Sequence, residues 1–124
     1  MLNEATVVAT LAVNDIEAGK KFYGETLGLK QVDENPGGVT YASGEGKLFV
    51  YASQTAGTGQ ATCASWSVAD LEGTIADLKN KGVTFEQYDL PGGTREGDVH
   101  MMGPMKAAWF KDSDGNILNI TNVG

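Results

Sequence analysis

The side chains that could carry out catalysis are few, and they lie far apart in the sequence. Any Ser-His-Asp or Cys-His arrangement must use His100, because it is the only histidine. Cys63, the only cysteine, cannot form an internal disulfide, and it could act as a nucleophile if His100 activated it. A small packed cysteine and a histidine in solvent are the more common roles of such residues. The residue types alone therefore identify no catalytic residue.

A second motif, near the end of the chain, could bind a cation. Asp112, Asp114 and Asn116 alternate as at the start of a calcium-binding loop. Ile117 stands where that loop needs glycine, and Val123 stands where it needs glutamate. The motif is therefore predicted to be a hairpin turn and not a calcium site.

Length and charge restrict the class of protein. The chain has 124 residues and a formal net charge of -7, and its length fits one domain over residues 1–124. The negative charge argues against nucleic acid or an anionic membrane surface as a partner. The longest apolar run, Leu48 to Ala52, is too short to span a bilayer, and the first four residues do not resemble a signal peptide. We therefore expect a cytoplasmic protein with no membrane partner.

The elements that must position these side chains follow one order twice. Each half of the chain predicts a strand, a helix and three further strands. In the first module, residues 4–54, the predicted strands are Thr6–Val13, Lys30–Asp33, Gly38–Ala42 and Lys47–Ala52. A flexible linker at residues 55–60 leads to the second module, residues 61–124. Its predicted strands are Ala61–Val68, Val83–Gln87, Lys106–Lys111 and Asn116–Thr121.

Capping residues and glycines mark the ends of two helices. Asn14 is predicted to cap the first helix, with Glu17 reaching back to it, and Gly28 is predicted to end the helix. Gly82 is predicted to end the second helix in the same way. The buried stripe of that second helix is predicted to consist of Leu71, Ile75 and Leu78.

The connection from Asp89 to Pro104 breaks the symmetry of the two modules. Connections of that length without secondary structure commonly serve as functional lids. The segment carries His100, Met101 and Met102, and Met105 follows it. Flexible thioethers suit a surface that adapts to varied apolar ligands, although core packing explains Met105 better. We therefore predict a methionine-rich lid with His100 in solvent.

Several motifs, taken in order, resemble those of a known superfamily. They are Val13-x-Asp15, Phe22-Tyr23, Leu27-Gly28-Leu29 and the ending Trp109-Phe110-Lys111-Asp112-x-Asp114-Gly115-Asn116. With the two modules they make the whole chain similar to the vicinal-oxygen-chelate (VOC) superfamily, which includes glyoxalase I, extradiol dioxygenases and bleomycin-resistance proteins. The resemblance implies an α+β fold in which two βαβββ modules form a cup-shaped mixed sheet, with the helices outside and the ligand site inside. It also implies a homodimer.

Alternation along the strands then assigns side chains to the inside or the outside of the cup. Val7 is predicted to pack on the helix side of the first strand. The side chains predicted to face the cup include Val8, Thr10, Cys63, Ser65 and Asn119. The resemblance also places the ring of Trp109 toward the cup. These inward-facing side chains are mostly small and uncharged, so they can hydrogen-bond a ligand without offering it a charge.

Metal-using members of the superfamily carry one ligand, generally His, Glu or Gln, on the first and last strand of each module. By the resemblance, these positions fall on Val8, Val50, Cys63 and Asn119. Valine has no donor atom, asparagine is a poor ligand for transition metals, and one cysteine cannot hold Zn²⁺ or Fe²⁺. A register shift of one residue would replace Val50 by Phe49 or Tyr51, and neither supplies a metal site. We therefore predict no metal and no cofactor.

The favoured hypothesis is a metal-independent small-molecule-binding protein similar to the bleomycin-resistance branch, which holds an apolar or cationic aromatic ligand. The predicted ligand-binding residues are Val8, Thr10, Val50, Cys63, Ser65, His100, Met101, Trp109 and Asn119. The alternative is a glyoxalase-like or dioxygenase-like enzyme, a lyase or isomerase, with a non-standard metal site or with acid–base catalysis by His100, Cys63 or Glu86. A third hypothesis is a small-molecule sensor or partner-binding module.

Overall fold

The first module forms a four-stranded sheet in a computed structural model that describes residues 1–123. After a short 3₁₀ turn, its elements are β1 (Ala9–Val13), α1 (Ile16–Lys20), a π-helical turn (Lys21–Thr26), β2 (Lys30–Asn35), β3 (Gly38–Ser43) and β4 (Gly46–Ala52). The strand order is β1-β4-β3-β2. β1 runs parallel to β4, and the other pairs are antiparallel.

The second module repeats this plan with additional strands. Its elements are β5 (Thr62–Ser67), α2 (Leu71–Asn80), β6 (Phe85–Glu86), β7 (Thr94–Glu96), β8 (Val99–Met102), β9 (Met105–Lys111) and β10 (Ile117–Thr121). The strand order is β5-β10-β9-β8-β7. β6 lies outside this order and pairs with Trp109 and Phe110 of β9. β5 and β10 are parallel, as β1 and β4 are. The predicted α+β class with two repeated modules is thus confirmed, although the two sheets do not join into a closed barrel.

Both helices begin at an aspartate. The carboxylate of Asp15 accepts hydrogen bonds from the amides of Glu17 and Ala18, and Asp70 caps α2 through the amide of Gly73. The predicted cap at Asn14 is therefore wrong by one residue, because Asp15 is the residue with the extended backbone that a cap requires.

The predicted ends of the helical segments are confirmed. Gly28 and Gly82 adopt φ values of 73° and 92° and so end these segments in the left-handed conformation. The predicted stripe of α2 is also buried. Within residues 1–123, no helix reaches the length and hydrophobicity that a bilayer requires.

The two modules share one hydrophobic core, which lies on the helix side of both sheets. It joins Leu11, Tyr23, Tyr41 and Val50 of the first module to Leu71, Phe85, Phe110, Leu118 and Ile120 of the second. Val7 does not join it and is 88% exposed, contrary to the prediction. The reason is that the pairing of β1 with β4 begins only at Ala9, so neither sheet nor helix covers the residues before it.

The predicted unstructured lid is instead a β-hairpin. β8 pairs with β9 on one side and with β7 on the other, so most of the connection is part of the second sheet. Asp98, at the turn of the hairpin, accepts hydrogen bonds from Lys79 Nζ at 2.6 Å and from Gln87 Nε2 at 2.8 Å. These contacts fasten the hairpin to α2 and to the end of β6.

A buried carboxylate in the β9–β10 turn connects the two modules. Asp112 accepts hydrogen bonds from the Tyr23 hydroxyl at 2.6 Å, from the Asn116 side chain at 2.7 Å and from the amides of Asp114 and Asn116 at 2.9 Å. The Asn116 side chain also donates to the carbonyl of Ala12 at 2.6 Å. The motif is therefore a turn, as predicted, and its polar side chains hold the second module on the π-helical turn and β1 of the first.

The hydroxyl of Tyr23 remains a donor under all ordinary conditions. Burial, together with the adjacent Asp112 carboxylate, raises the pKa of Tyr23 far above its usual value. The Tyr41 hydroxyl is also buried, but within residues 1–123 it has no hydrogen-bond partner. The two tyrosines therefore provide a matched pair for measuring the contribution of the contact with Asp112.

We expect Tyr23→Phe to lower the free energy of unfolding by about 1.5–3 kcal/mol, because it removes a hydrogen bond to a buried charged group. Tyr41→Phe removes a hydroxyl that makes no bond, so its effect should be close to zero or stabilising. Urea denaturation of both variants measures the difference. Equal losses of stability in the two variants would contradict the role given to Asp112.

We expect Asp98→Asn to lower stability at neutral pH by less than about 1 kcal/mol. The hydrogen bond from Lys79 is the main cause that lowers the pKa of Asp98 below its ordinary value of 3.8. A lowered folded-state pKa stabilises the protein above the unfolded-state pKa, and this contribution is lost as pH falls through the folded-state value. In thermal unfolding, wild type and variant should therefore differ at about pH 7, and the difference should shrink as the pH falls below 3.8.

The matched control for this measurement is Asp77→Asn. Asp77 pairs with Lys81 at 3.3 Å, but its side chain is 63% exposed, whereas that of Asp98 is 16% exposed. Solvent weakens the exposed pair, so at about pH 7 the control should change stability less than Asp98→Asn does. A control that destabilises the protein as much as Asp98→Asn would show that the hairpin is not fastened in this way.

Candidate functional site

The open face of the second sheet carries a cavity of about 260 Å³. Its lining comes from the end of the chain and from β5, β9 and β10, and consists of Thr62, Ser65, Met105, Ala107, Trp109, Asn119, Thr121 and Val123. The strand register places Asn119 between Ser65 on β5 and Trp109 on β9. Three of the predicted ligand-binding residues are therefore neighbours on one surface.

The polar groups of this cavity are already oriented by hydrogen bonds. Ser65 Oγ donates to Asn119 Oδ1, and Asn119 Nδ2 donates to the carbonyl of Ala108 at 3.3 Å. Trp109 Nε1 donates to Thr62 Oγ1 at 3.1 Å. The serine and threonine oxygens keep free lone pairs, so they can accept hydrogen bonds from a ligand. Among the described residues that line the cavity, Trp109, whose indole is half-buried, is the one with a large aromatic ring, and none has a charged side chain.

His100 stands beside this cavity but is almost completely buried. It is 1% exposed, and the prediction that it lies in solvent is wrong. The physical reason is β8, which carries His100 into the sheet opposite Ala107, a residue of the cavity lining. The imidazole meets the Trp109 ring edge to face, with ring centroids 4.9 Å apart.

The methionines divide between the two faces of β8 and β9. Met101 pairs with Lys106 and so lies on the face opposite His100, away from the cavity. Met102 pairs with Met105, which lines the cavity and is half-buried. The structure therefore brings Met105 to the site where we predicted Met101, and Met105 is not a core residue.

The first sheet presents a separate open face. Thr10 is exposed on it, directly opposite Phe49 of β4. Val50 lies on the other face, fully buried in the core, so its assignment to the site is corrected. Phe49 and Tyr51 take that place, with parallel rings whose centroids are 6.3 Å apart. The sequence itself indicates this orientation of Val50, because Leu48 and Val50 are both aliphatic and, two residues apart, point to the same face of the strand.

The residues at the positions implied for a metal do not fit one. Val8 precedes β1, Val50 lies in the core, and the amide of Asn119 is engaged with Ser65 and Ala108. Cys63 sits exposed at an irregularity in the pairing of β5 with β10, and its Sγ contacts the carbonyl of Ala61. In the described part of the chain, no three His, Cys, Asp or Glu side chains come together as a metal site.

The acid–base groups considered from the sequence are engaged elsewhere. His100 Nε2 accepts the amide hydrogen of Tyr88 at 2.8 Å, so it is not available to activate Cys63. Glu86 lies 3.5 Å from Lys111 Nζ in an ion pair. The arrangement offers orientation and hydrogen bonding to a ligand rather than proton transfer.

Another cavity is larger but less suited to a ligand. It measures about 330 Å³ and lies between the π-helical turn and the connection that follows α2. Its cations are paired, Lys81 with Asp77 and Lys111 with Glu86. Solvated charges that already neutralise each other give little specificity for a small molecule, so the cavity beside Trp109 is the better candidate.

Residues 5–120 match the family model described as the Glyoxalase/Bleomycin resistance protein/Dioxygenase superfamily. The chain is similar to TnmS3, described as an antibiotic binding protein from Streptomyces sp. CB03234, with 23% identity, coverage of 97% of this chain and 96% of that one, and a TM-score of 0.71.

Two further solved structures share the fold. One is a glyoxalase/bleomycin resistance protein from the same Streptomyces strain, with 22% identity, coverage of 94% and 98% of the two chains, and a TM-score of 0.67. The other is a member of the same superfamily from Sphaerobacter thermophilus DSM 20745, with 22% identity, coverage of 98% of each chain and a TM-score of 0.71.

Proposed function

This chain belongs to the glyoxalase/bleomycin resistance protein/dioxygenase superfamily, and we propose that it is a metal-independent protein that binds an apolar or cationic aromatic small molecule. The superfamily resemblance predicted from the motifs is confirmed by the family match. The observation that carries the functional proposal is the cavity beside Trp109, which combines an aromatic ring with hydrogen-bond acceptors and no metal-ligating set.

The chemistry of the lining supports a planar aromatic ligand. The Trp109 indole provides a large surface for stacking, and its N–H is already bonded to Thr62. A cation near the ring would gain cation–π stabilisation. Ser65 can accept a hydrogen bond from an ammonium or amine group. The net charge of -7 also favours approach of a cationic ligand and disfavours nucleic acid.

The similarity to antibiotic-binding proteins supports the same conclusion. TnmS3 is described as an antibiotic binding protein, and it shares this fold over nearly the whole chain. We propose that the present protein likewise sequesters its ligand without transforming it. The side chains considered for acid–base catalysis do not form a catalytic set. His100 and Glu86 are held in other contacts, and Cys63 stands apart from a base. We expect it to act in the cytoplasm.

We propose that a second copy completes the site. The cavity of about 260 Å³ is smaller than a typical ligand site and lies on an open sheet face, so it can cover one side of a ligand only. The first sheet offers Phe49 and Tyr51 on its own open face. A two-fold axis that sets the first sheet of one copy over the second sheet of the other would close two equivalent cups.

We expect Trp109→Ala to weaken binding of acridine orange, a cationic planar dye, by roughly tenfold or more, because it removes the stacking surface. Fluorescence titration of the purified protein measures this change. Trp66→Phe is the control, since Trp66 lies on the core side of β5 and should leave dye binding unchanged.

Elemental analysis of the same samples tests metal independence. We expect no transition metal at stoichiometric level and no effect of EDTA on dye binding. A stoichiometric metal whose removal abolishes binding, or a Trp109→Ala variant that binds the dye like wild type, would overturn the proposed function.

We expect the protein to be a dimer in solution, with twice the mass of the 13.0 kDa chain. Phe49→Asp places an uncompensated charge in the interface of the proposed dimer, so it should shift the equilibrium toward monomer. Thr58→Asp, at an exposed position of the linker outside both sheets, is the control. Sedimentation equilibrium measures the masses, and a wild-type particle of single-chain mass at working concentration would remove the dimer from the proposal.

A further inference from the structure

The imidazole of His100 is fixed in one tautomer by the backbone. The amide of Tyr88 donates to His100 Nε2 at 2.8 Å, so this nitrogen carries a lone pair and no proton. A neutral imidazole then has its proton on Nδ1. His100 is 1% exposed, and the ring is enclosed by Tyr88 and Trp109, with centroids 5.9 Å and 4.9 Å away.

The proton on Nδ1 has no conventional acceptor. Among the residues that the structure describes, no oxygen or nitrogen lies within hydrogen-bond reach of this atom, although it is buried. Buried donors are nearly always paired, so a group next to the imidazole is expected to accept this proton. Two rings lie next to it: the indole of Trp109 is the nearer and stands nearly perpendicular to the imidazole, at 88°, whereas the Tyr88 ring lies farther away and is tilted by 38°. Aromatic faces accept weak hydrogen bonds from N–H groups.

We infer that His100 is a positioning residue for Trp109, with its Nδ1–H directed at the π face of the indole. This inference rests on the proposed function, in which Trp109 is the stacking surface. His100 cannot touch a ligand itself, because it is buried, and so it acts through the orientation of the tryptophan.

Two further contacts complete the support of the indole. Trp109 Nε1 is bonded to Thr62 Oγ1 at 3.1 Å, and the Tyr88 ring meets Trp109 at 80° with centroids 5.6 Å apart. On this inference the imidazole covers one face of Trp109, so a single face remains for stacking. A ligand can therefore stack on Trp109 with one planar group and from one side only. It cannot insert between Trp109 and the rings of His100 and Tyr88.

Nitrogen NMR of the only histidine tests the inference without any ligand. In protein labelled with ¹⁵N-histidine, we expect Nδ1 to be protonated and Nε2 to be unprotonated. We also expect the imidazole protons nearest Nδ1 to be shifted upfield by the ring current of Trp109. Trp109→Leu should abolish that shift, and Trp66→Phe should leave it unchanged. A proton on Nε2, or imidazole shifts that do not respond to Trp109→Leu, would overturn the inference.

A second variant tests the consequence for the tryptophan. His100→Phe keeps an aromatic ring but removes both nitrogens, so Trp109 should become more mobile. In a Trp66→Phe background, the fluorescence anisotropy of Trp109 should fall, and acridine orange affinity should decrease about two- to fivefold. A merely structural role would lower stability and leave the anisotropy unchanged. If wild type binds no dye while the NMR result holds, the proposed function fails and the positioning role of His100 stands.

Discussion

The Asp112 carboxylate is the contact on which the arrangement of the two modules depends. Burying a carboxylate is costly unless donors surround it, and here four donors from the β9–β10 turn and from the π-helical turn do so. Tyr23 brings the helix of the first module to this point, and Asn116 extends the network to the end of β1. The turn therefore ties the second sheet to the π-helical turn and the first strand of the first module.

The shared core leaves both sheets with one covered face and one open face. Aliphatic and aromatic side chains of both modules fill the helix side, so the residues of opposite parity are free for other roles. The two tryptophans illustrate this division. Trp66 packs against the core and donates to Ser43 Oγ at 3.0 Å, whereas Trp109 stands on the open face beside Asn119. The same residue type is thus structural in one place and available to a ligand in the other.

The repeat, the helix ends and the turn at Asp112 could all be predicted from the sequence, because each depends on local chemistry. Gly28 and Gly82 are such cases. The β7–β8 hairpin could not be predicted, since strands of three and four residues are too short to show a period. Without this hairpin, the sequence places His100 in solvent, which is wrong. The incorrect assignment of Val50 has another cause. It came from alignment to the metal positions that the resemblance implies, whereas the alternation of side chains along β4 places Val50 in the core.

One outer strand of each sheet is exposed along its entire length and carries charge. Every residue of β2 is exposed, among them Lys30, Asp33 and Glu34, and β7 presents Arg95 and Glu96 at the edge of the second sheet. Such borders resist the addition of a foreign strand, since charged side chains oppose the stacking that would lengthen a sheet into a fibril. At these two edges the addition of a strand from another copy is therefore disfavoured, whereas the open faces of the sheets stay available for association.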